Sequence, residues 1–428
     1  MSFQRLFQLP LQSFGPFCPS ARKRGFWRTT GAYVAREDPG FPLRSKCMQR
    51  TCSRELGIGE VVELTLKWRY FGGGIVVDSC HADVNGDGQV ETLFASARKV
   101  YCLKPDGTPL WICPIGLVAY LLTAFDVDGD GEVEVITTGG DYLFCISFDG
   151  KIKWSRYLGY DADESLTAIF DVDGDGRPEV IAGWWGRVIC LRGDGTVKWI
   201  ANTSPSFETK GIAVADIDGD GEVEVLVSSW GSFFIGSYAH CLRGSDGSLK
   251  WRYFVEAGCT SMALSDVDGD GGLEVLFDSY YVPRIRCVEP DGSLRWSYET
   301  DGDLSSPVVG SQDIDGDGEV EVLEGDYYGY MYCLRGSDGS LKWRYLTGDV
   351  VITGGCTADL DGDGLMEVAF GSEDYYVYVL EHDGSLKSRY LTGDWATDGG
   401  CASIDDADGD GKLEVCAGSY DGYLYCLE

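Results

Sequence analysis

The chain has 428 residues, 44% of them hydrophobic, with 35 Lys or Arg against 69 Asp or Glu and a formal charge of −34. The apolar share is ample for a packed core. The acidity excludes nucleic acid as a partner, since phosphate binding needs a basic face, and the lack of any run of about 20 apolar residues excludes a transmembrane helix.

Residues 1–60 differ in kind from the rest of the chain. They hold ten Lys or Arg and four acidic residues, the first being Glu37, among scattered Pro, Ser and Gly. No apolar core follows the charges, so the segment does not read as a secretory signal. It is expected to be a basic, poorly ordered extension, with the folded domain spanning residues 61–428. Cys47 and Cys52 lie within it without a second pair, which argues against a zinc site.

Past this extension one nonapeptide, D-x-D-G-D-G-x-x-E, occurs eight times, starting at Asp83, Asp126, Asp171, Asp216, Asp266, Asp313, Asp359 and Asp406. The steps between copies are 43, 45, 45, 50, 47, 46 and 47 residues, a period that marks a repeat architecture. Carboxylates at positions 1, 3 and 5 converge if the chain turns tightly, and the glycines at positions 4 and 6 permit the turn. A position-7 carbonyl and the acid at position 9 complete an all-oxygen shell that suits Ca2+ better than Mg2+, which prefers to keep waters. A lone Asp-Gly turn would explain one copy equally well, but not eight.

The ligand set expected is Asp83, Asn85, Asp87 and Glu91; Asp126, Asp128, Asp130 and Glu134; Asp171, Asp173, Asp175 and Glu179; and Asp216, Asp218, Asp220 and Glu224. It continues with Asp266, Asp268, Asp270 and Glu274; Asp313, Asp315, Asp317 and Glu321; Asp359, Asp361, Asp363 and Glu367; and Asp406, Asp408, Asp410 and Glu414. Up to eight Ca2+ are expected, the first loop binding more weakly because Asn85 replaces a carboxylate. Seven loops carry four carboxylates and one carries three, so 31 of the 69 acids sit at ligand positions. The acidity is therefore metal-site chemistry more than a solvated tail.

The sixth repeat shows the unit. Residues 305–312 form a small-residue strand entering the loop, and 320–324 leave it with β-branched alternation. An aromatic turn at Asp326-Tyr327-Tyr328-Gly329 leads to a third strand, 330–335, and the turn Ser337-Asp338-Gly339-Ser340 to a fourth, 341–346. Four antiparallel strands in such a period make the blade of a β-propeller. The fourth strand repeats G-x-x-K/R-W, with Trp154, Trp199, Trp251, Trp296 and Trp343; Trp111 is a looser copy and the eighth equivalent is Ser388. This Trp is expected to dock each blade on its neighbour.

Cys102, Cys145, Cys190, Cys241, Cys287, Cys333 and Cys426 share one strand position, where the remaining repeat has Val379. A site that accepts Val is a small apolar slot, and equivalent sites on sheets packed about 10 Å apart cannot be bridged, so these read as free thiols. The last repeat stops after its third strand, while 66–70 is a fourth-type strand with no blade before it. The prediction is an all-β, eight-bladed propeller of four-stranded antiparallel blades, closed when residues 66–70 complete the last blade and leaving no open end.

These loops resemble the calcium loops of FG-GAP repeats in integrin α-subunit propellers, and the tryptophan strand resembles the docking repeats of quinoprotein (PQQ-like) propellers and their scaffold relatives. Together the resemblances cover about residues 66–428. They imply the architecture more than a task. Integrin propellers have seven blades with calcium in some; eight filled loops here put transfer of integrin ligands in doubt.

The face opposite the loops varies between repeats, as a binding face does. Its hairpins offer Trp184, Trp185, Trp230, Tyr280, Tyr281, Tyr327, Tyr328, Tyr375, Tyr376 and, on a connection, Trp395, with acids such as Asp301, Asp349 and Asp394 alongside. That suits a protein or carbohydrate ligand, though the same aromatics can simply pack the hairpins. The favoured reading is a non-enzymatic, monomeric adhesion or interaction scaffold with no catalytic residues. A polysaccharide-acting enzyme similar to eight-bladed rhamnogalacturonan lyases is the alternative, against which His81, His240 and His382 occupy unrelated repeat positions. A quinoprotein dehydrogenase is disfavoured because the family's adjacent-cysteine pair is missing. Calcium loops favour an extracellular or surface location, while free cysteines and the unrecognised signal point inward.

Overall fold

The computed structural model describes residues 66–428 except 75, 160–165, 204–207, 231–236, 257, 280–281, 305–309, 352–354, 397–401 and 406–411. The segment 1–60 lies outside the described residues. The strands form eight four-stranded sheets, and blades are numbered from the one that carries the Asp83 loop. Blade 1, for example, pairs Val76–Ala82, Glu91–Ser96, Lys99–Leu103 and Pro109–Pro114 in sequence order, all antiparallel. Blade 8 departs from that order. Its outer strand is Leu66–Phe71, antiparallel to Tyr423–Leu427, followed inward by Glu414–Gly418 and Ala402–Asp405. The N-terminal strand thus closes the ring.

Burial follows strand position. Second strands such as Glu134–Gly139 are buried along their whole length, whereas fourth strands such as Leu341–Leu346 alternate as edges do. The core is not one mass, because each pair of neighbouring blades shares its own apolar cluster. Blades 5 and 6 meet through Ile285, Leu276 and Leu334, and blades 8 and 1 through Leu424, Phe94 and Leu103. Each fully buried side chain of this size stabilises by about 1.5–3 kcal/mol. A repeat alone would leave half of each cluster in water, which is why the unit is the ring.

The tryptophans latch these seams. Each indole lies against the glycine of the next blade's Asp-Gly turn, and all but Trp68 donate Nε1–H to a carbonyl there. The acceptors are Phe148 for Trp111 (2.9 Å), Gly193 for Trp154 (2.9 Å) and Gly244 for Trp199 (2.7 Å). Pro290 for Trp251 (2.8 Å), Gly336 for Trp296 (2.7 Å) and His382 for Trp343 (2.8 Å) complete the set. Trp68 of blade 8 packs on Gly107 of blade 1. Glycine is required at these turns: Gly339 has φ +71°, and a Cβ there would come within 2.6 Å of the Trp296 ring.

Blade 7 has Ser388 in place of the indole, and the topology explains it. The third and fourth strands of blade 8 come from opposite ends of the sequence, so no Asp-Gly turn joins them and a blade 7 tryptophan would have none to dock on. The cross-strand partner changes too. Cys faces Trp in the other seven blades, as Cys333 faces Trp343 and Cys426 faces Trp68, whereas Val379 faces Ser388. The seven equivalent cysteines are free, fully buried thiols, and burial pushes Cys145 and Cys241 up to about 12. They pack and do not react.

Candidate metal loops and candidate ligand face

Each loop connects first and second strands, and its backbone organises the carboxylates. In blade 2, Asp126 Oδ1 accepts the Gly129 N–H at 2.7 Å and Oδ2 that of Gly131 at 2.9 Å. Asp130 Oδ1 accepts from Glu132 N–H at 2.8 Å, and Glu134 Oε2 from Val127 N–H at 3.1 Å. The glycines take φ of +77° and +90°, which L side chains rarely adopt. The Val127-to-Glu134 bond recurs in every loop from blade 1 to blade 7, for instance Leu360 to Glu367 at 2.7 Å and Val267 to Glu274 at 2.9 Å. The position-9 glutamates are buried, and their Oε1 atoms point to the same place as position-3 Oδ2. Ligand atoms of positions 1, 3 and 9 lie within 4.8 Å of one another in the loops starting at Asp126, Asp171, Asp216, Asp266 and Asp313. Of the last loop, Asp406, Asp408 and Asp410 lie outside the described residues, and Glu414 is buried at the start of its strand.

One group at the loops belongs to no part of the nonapeptide. The lysine one residue before the docking tryptophan, or before Ser388 in blade 7, reaches back into the loop of its own blade. Lys153 meets Asp128 (2.7 Å), Asp130 (3.2 Å) and Glu134 (2.9 Å), and Lys250 meets Asp218 and Glu224, both at 2.8 Å. Lys198 bonds Asp173 and, at 2.8 Å, Glu179. Lys342 meets Asp315 (2.5 Å) and Glu321 (2.9 Å), and Lys387 meets Asp361 (2.5 Å) and Glu367 (3.0 Å). In blade 8 Lys67 meets Glu414 at 2.9 Å. Burial works to lower these lysines, but the carboxylate bonds outweigh it and hold Lys153, Lys250, Lys342 and Lys387 above their usual range.

Two blades differ. Blade 1 has Leu110 where the lysine would be, and Asn85 donates its amide to Glu91 Oε1 at 3.0 Å. Blade 5 has Arg295, whose Nη1 takes Asp268 (2.5 Å) and Glu289 (3.1 Å) and whose Nε takes the Ser337 carbonyl (3.2 Å). That geometry leaves the buried Glu274 Oε1 without a partner. Burial raises Glu91 and Glu274 to about 7, neighbouring carboxylates adding to the effect. An orphaned, buried carboxylate oxygen facing two aspartates is chemistry a hard cation satisfies, so these residues fit one.

The opposite face is mixed. Tyr328 is 67% exposed, Tyr375 44% and Trp185 41%, while Trp184 at 6% packs between blades 2 and 3. Trp184 is therefore core rather than ligand face, because it ends the second strand on its inward side. Tyr375 has φ +74° at the position where blades 6 and 8 have Gly329 and Gly422. Tyr376 is half-buried under the Arg389 guanidinium (4.4 Å), Trp395 packs edge-on to Tyr420 (5.4 Å), and Tyr327 donates its N–H to the Asp303 carbonyl (2.9 Å). The side chains of Trp230, Tyr280 and Tyr281 lie outside the described residues. His81 and His240 are buried in blades 1 and 4, and burial lowers both to about 4; His382 sits in a turn of blade 7. The three do not form one site.

Residues 171–227 match the FG-GAP-like repeat, and residues 275–398 match the lambda-carrageenase β-propeller domain. No curated protein matches the chain. Among solved structures, BamB from Moraxella catarrhalis is similar at 14% identity and TM-score 0.57, covering 85% of this chain and 99% of its own. Sqt1 from Saccharomyces cerevisiae is similar at 11% and 0.67, covering 85% and 99%. The computationally designed Ika8 protein is similar at 12% and 0.60, covering 83% and 96%. At such identities the likeness is one of fold.

Proposed function

We propose that the chain is a non-enzymatic, cation-binding propeller scaffold that holds a protein or carbohydrate ligand on the face opposite its loops. The observation that carries this reading is Tyr375, an exposed aromatic held in a left-handed conformation that glycine fills in the two neighbouring blades. Such strain costs about 1–2 kcal/mol, and strained, exposed side chains cluster where something is bound. Tyr328 and Trp185 supply further flat, exposed surface. Calcium-requiring loops suit a calcium-rich, extracytoplasmic or surface setting; among the described residues no helix is long and apolar enough to cross a membrane.

The lambda-carrageenase propeller match favours a second reading, in which the ligand is a polysaccharide and the chain belongs with polysaccharide-acting enzymes. Glycan and peptide arrays with calcium present test both. Retention that is lost in Tyr328→Ala and Tyr375→Ala chains, without cleavage of the retained glycan, supports the scaffold. Release of shortened chains from a polysaccharide panel supports the enzyme.

A further inference from the structure

The eight loops share one ligand pattern, yet the structure divides them by what already neutralises them. In blades 2, 3, 4, 6 and 7 the fourth-strand ammonium bonds both position-3 Oδ2 and position-9 Oε1, two of the oxygens the loop backbone leaves open, although in blade 6 Asp315 Oδ1 stays buried and unpartnered. A divalent ion would need those same oxygens, and it could not share them with an ammonium a few ångströms away, because like charges at that range repel strongly. In blade 5 Arg295 Nη1 bonds Asp268 Oδ2 at 2.5 Å, but its bonds to Glu289 and the Ser337 carbonyl hold the guanidinium off Glu274, which is 0% exposed and keeps Oε1 unpartnered beside Asp266 and Asp268. Blade 1 has an apolar Leu110 in the lysine position and a buried, unpartnered Asp83 Oδ1, but Asn85 already satisfies Glu91 Oε1.

We propose that the lysine of the Gly-x-x-Lys-Trp strand is the resident cation of the blade 2, 3, 4, 6 and 7 loops, and that the blade 5 loop, built from Asp266, Asp268, Asp270 and Glu274, is the first to take a divalent cation. This rests on the cation-binding reading and refines it. A lysine loop takes calcium only by expelling its own ammonium, so it binds more weakly than the composition of its nonapeptide suggests. The propeller is then held together by internal charge pairs where lysine is present, and the external ion acts on the loops that lack it. Met in place of Lys342 keeps the apolar stem that covers the strand and removes only the charge.

The test is calorimetric titration of Ca2+ into the chelator-stripped full chain, compared with Glu274→Gln and Lys342→Met chains. The wild type should show a tight step ahead of weaker ones. Glu274→Gln should lose a tight step, and Lys342→Met should gain one, tighter than the wild-type blade 6 event by about tenfold or more, the scale set by removing one nearby like charge. Calcium binding by Lys342→Met alone would support the lysine assignment and overturn the blade 5 site. If Lys342→Met is unfolded in chelator, its melting is followed as calcium is added. Folding restored by calcium supports the proposal, and failure to fold at saturating calcium overturns it. Superimposable isotherms for wild type and Lys342→Met, with calcium bound, would overturn the lysine assignment and leave the cation reading standing. No binding by any chain would remove both.

Discussion

The two faces of this propeller solve different problems with the same strands. The loop face is repetitive: the same backbone bonds hold the nonapeptide in blade after blade, and the tryptophan latches end at turns on that side. The hairpin face is irregular, with one tyrosine strained and exposed where its neighbours have glycine. Stability is stored on the repetitive side and recognition on the irregular one. Substitutions on the loop side should cost stability with little direct effect on a ligand, and those on the hairpin side should do the reverse.

The largest effect should come from a latch. Trp199→Ala removes a buried indole and its bond to the Gly244 carbonyl, and should cost about 3–5 kcal/mol in urea unfolding. Gly339→Ala should rank second. Its Cβ would clash with the Trp296 ring at 2.6 Å in a left-handed turn, for a loss of about 2 kcal/mol or more by the same measurement. On the hairpin side, Tyr375→Gly should raise stability by about 1 kcal/mol while weakening ligand retention, the opposite pairing of signs.

The smallest effect is one of pH. Without a cation, burial holds Glu91 and Glu274 at about 7, against the ordinary 4.5, so the folded chain keeps protons that the unfolded chain has lost. Their contribution to stability is therefore present at low pH and is lost as pH rises through 7. Asp266, Asp268, Glu289 and Arg295 lie around Glu274, and calcium requires its ionised form. The gain in melting temperature on adding calcium should accordingly grow from pH 5.5 to pH 8. His81 and His240, lowered to about 4, destabilise the fold as pH falls below their usual 6.5, with and without calcium, and cancel in that difference.

Much of the fold was legible because its two signatures are local and repeated. The nonapeptide fixes where first and second strands meet, the Trp strand fixes the edge, and the orphan strand at Leu66 has only one sheet to complete. Ser388 was visible as an exception, but its cause lies in the closure, which removes the turn a tryptophan would need. The lysine role was hidden for a spatial reason. Lys153 meets Glu134 across 19 residues of sequence, through a pairing that places the fourth strand's side chain over the loop. Trp184 and Trp185 are neighbours in sequence and opposites in exposure, which strand alternation could have separated had the strand end been known.

Melting the full chain at pH 8 with calcium, with magnesium and with chelator shows directly whether the loops are cation sites. One site held at about a hundred times its dissociation constant adds about 2.7 kcal/mol to the folded state. The melting temperature should be lower in chelator, restored by calcium and poorly by magnesium. Identical melts in all three conditions would contradict this and leave the nonapeptides as acidic turns neutralised from within.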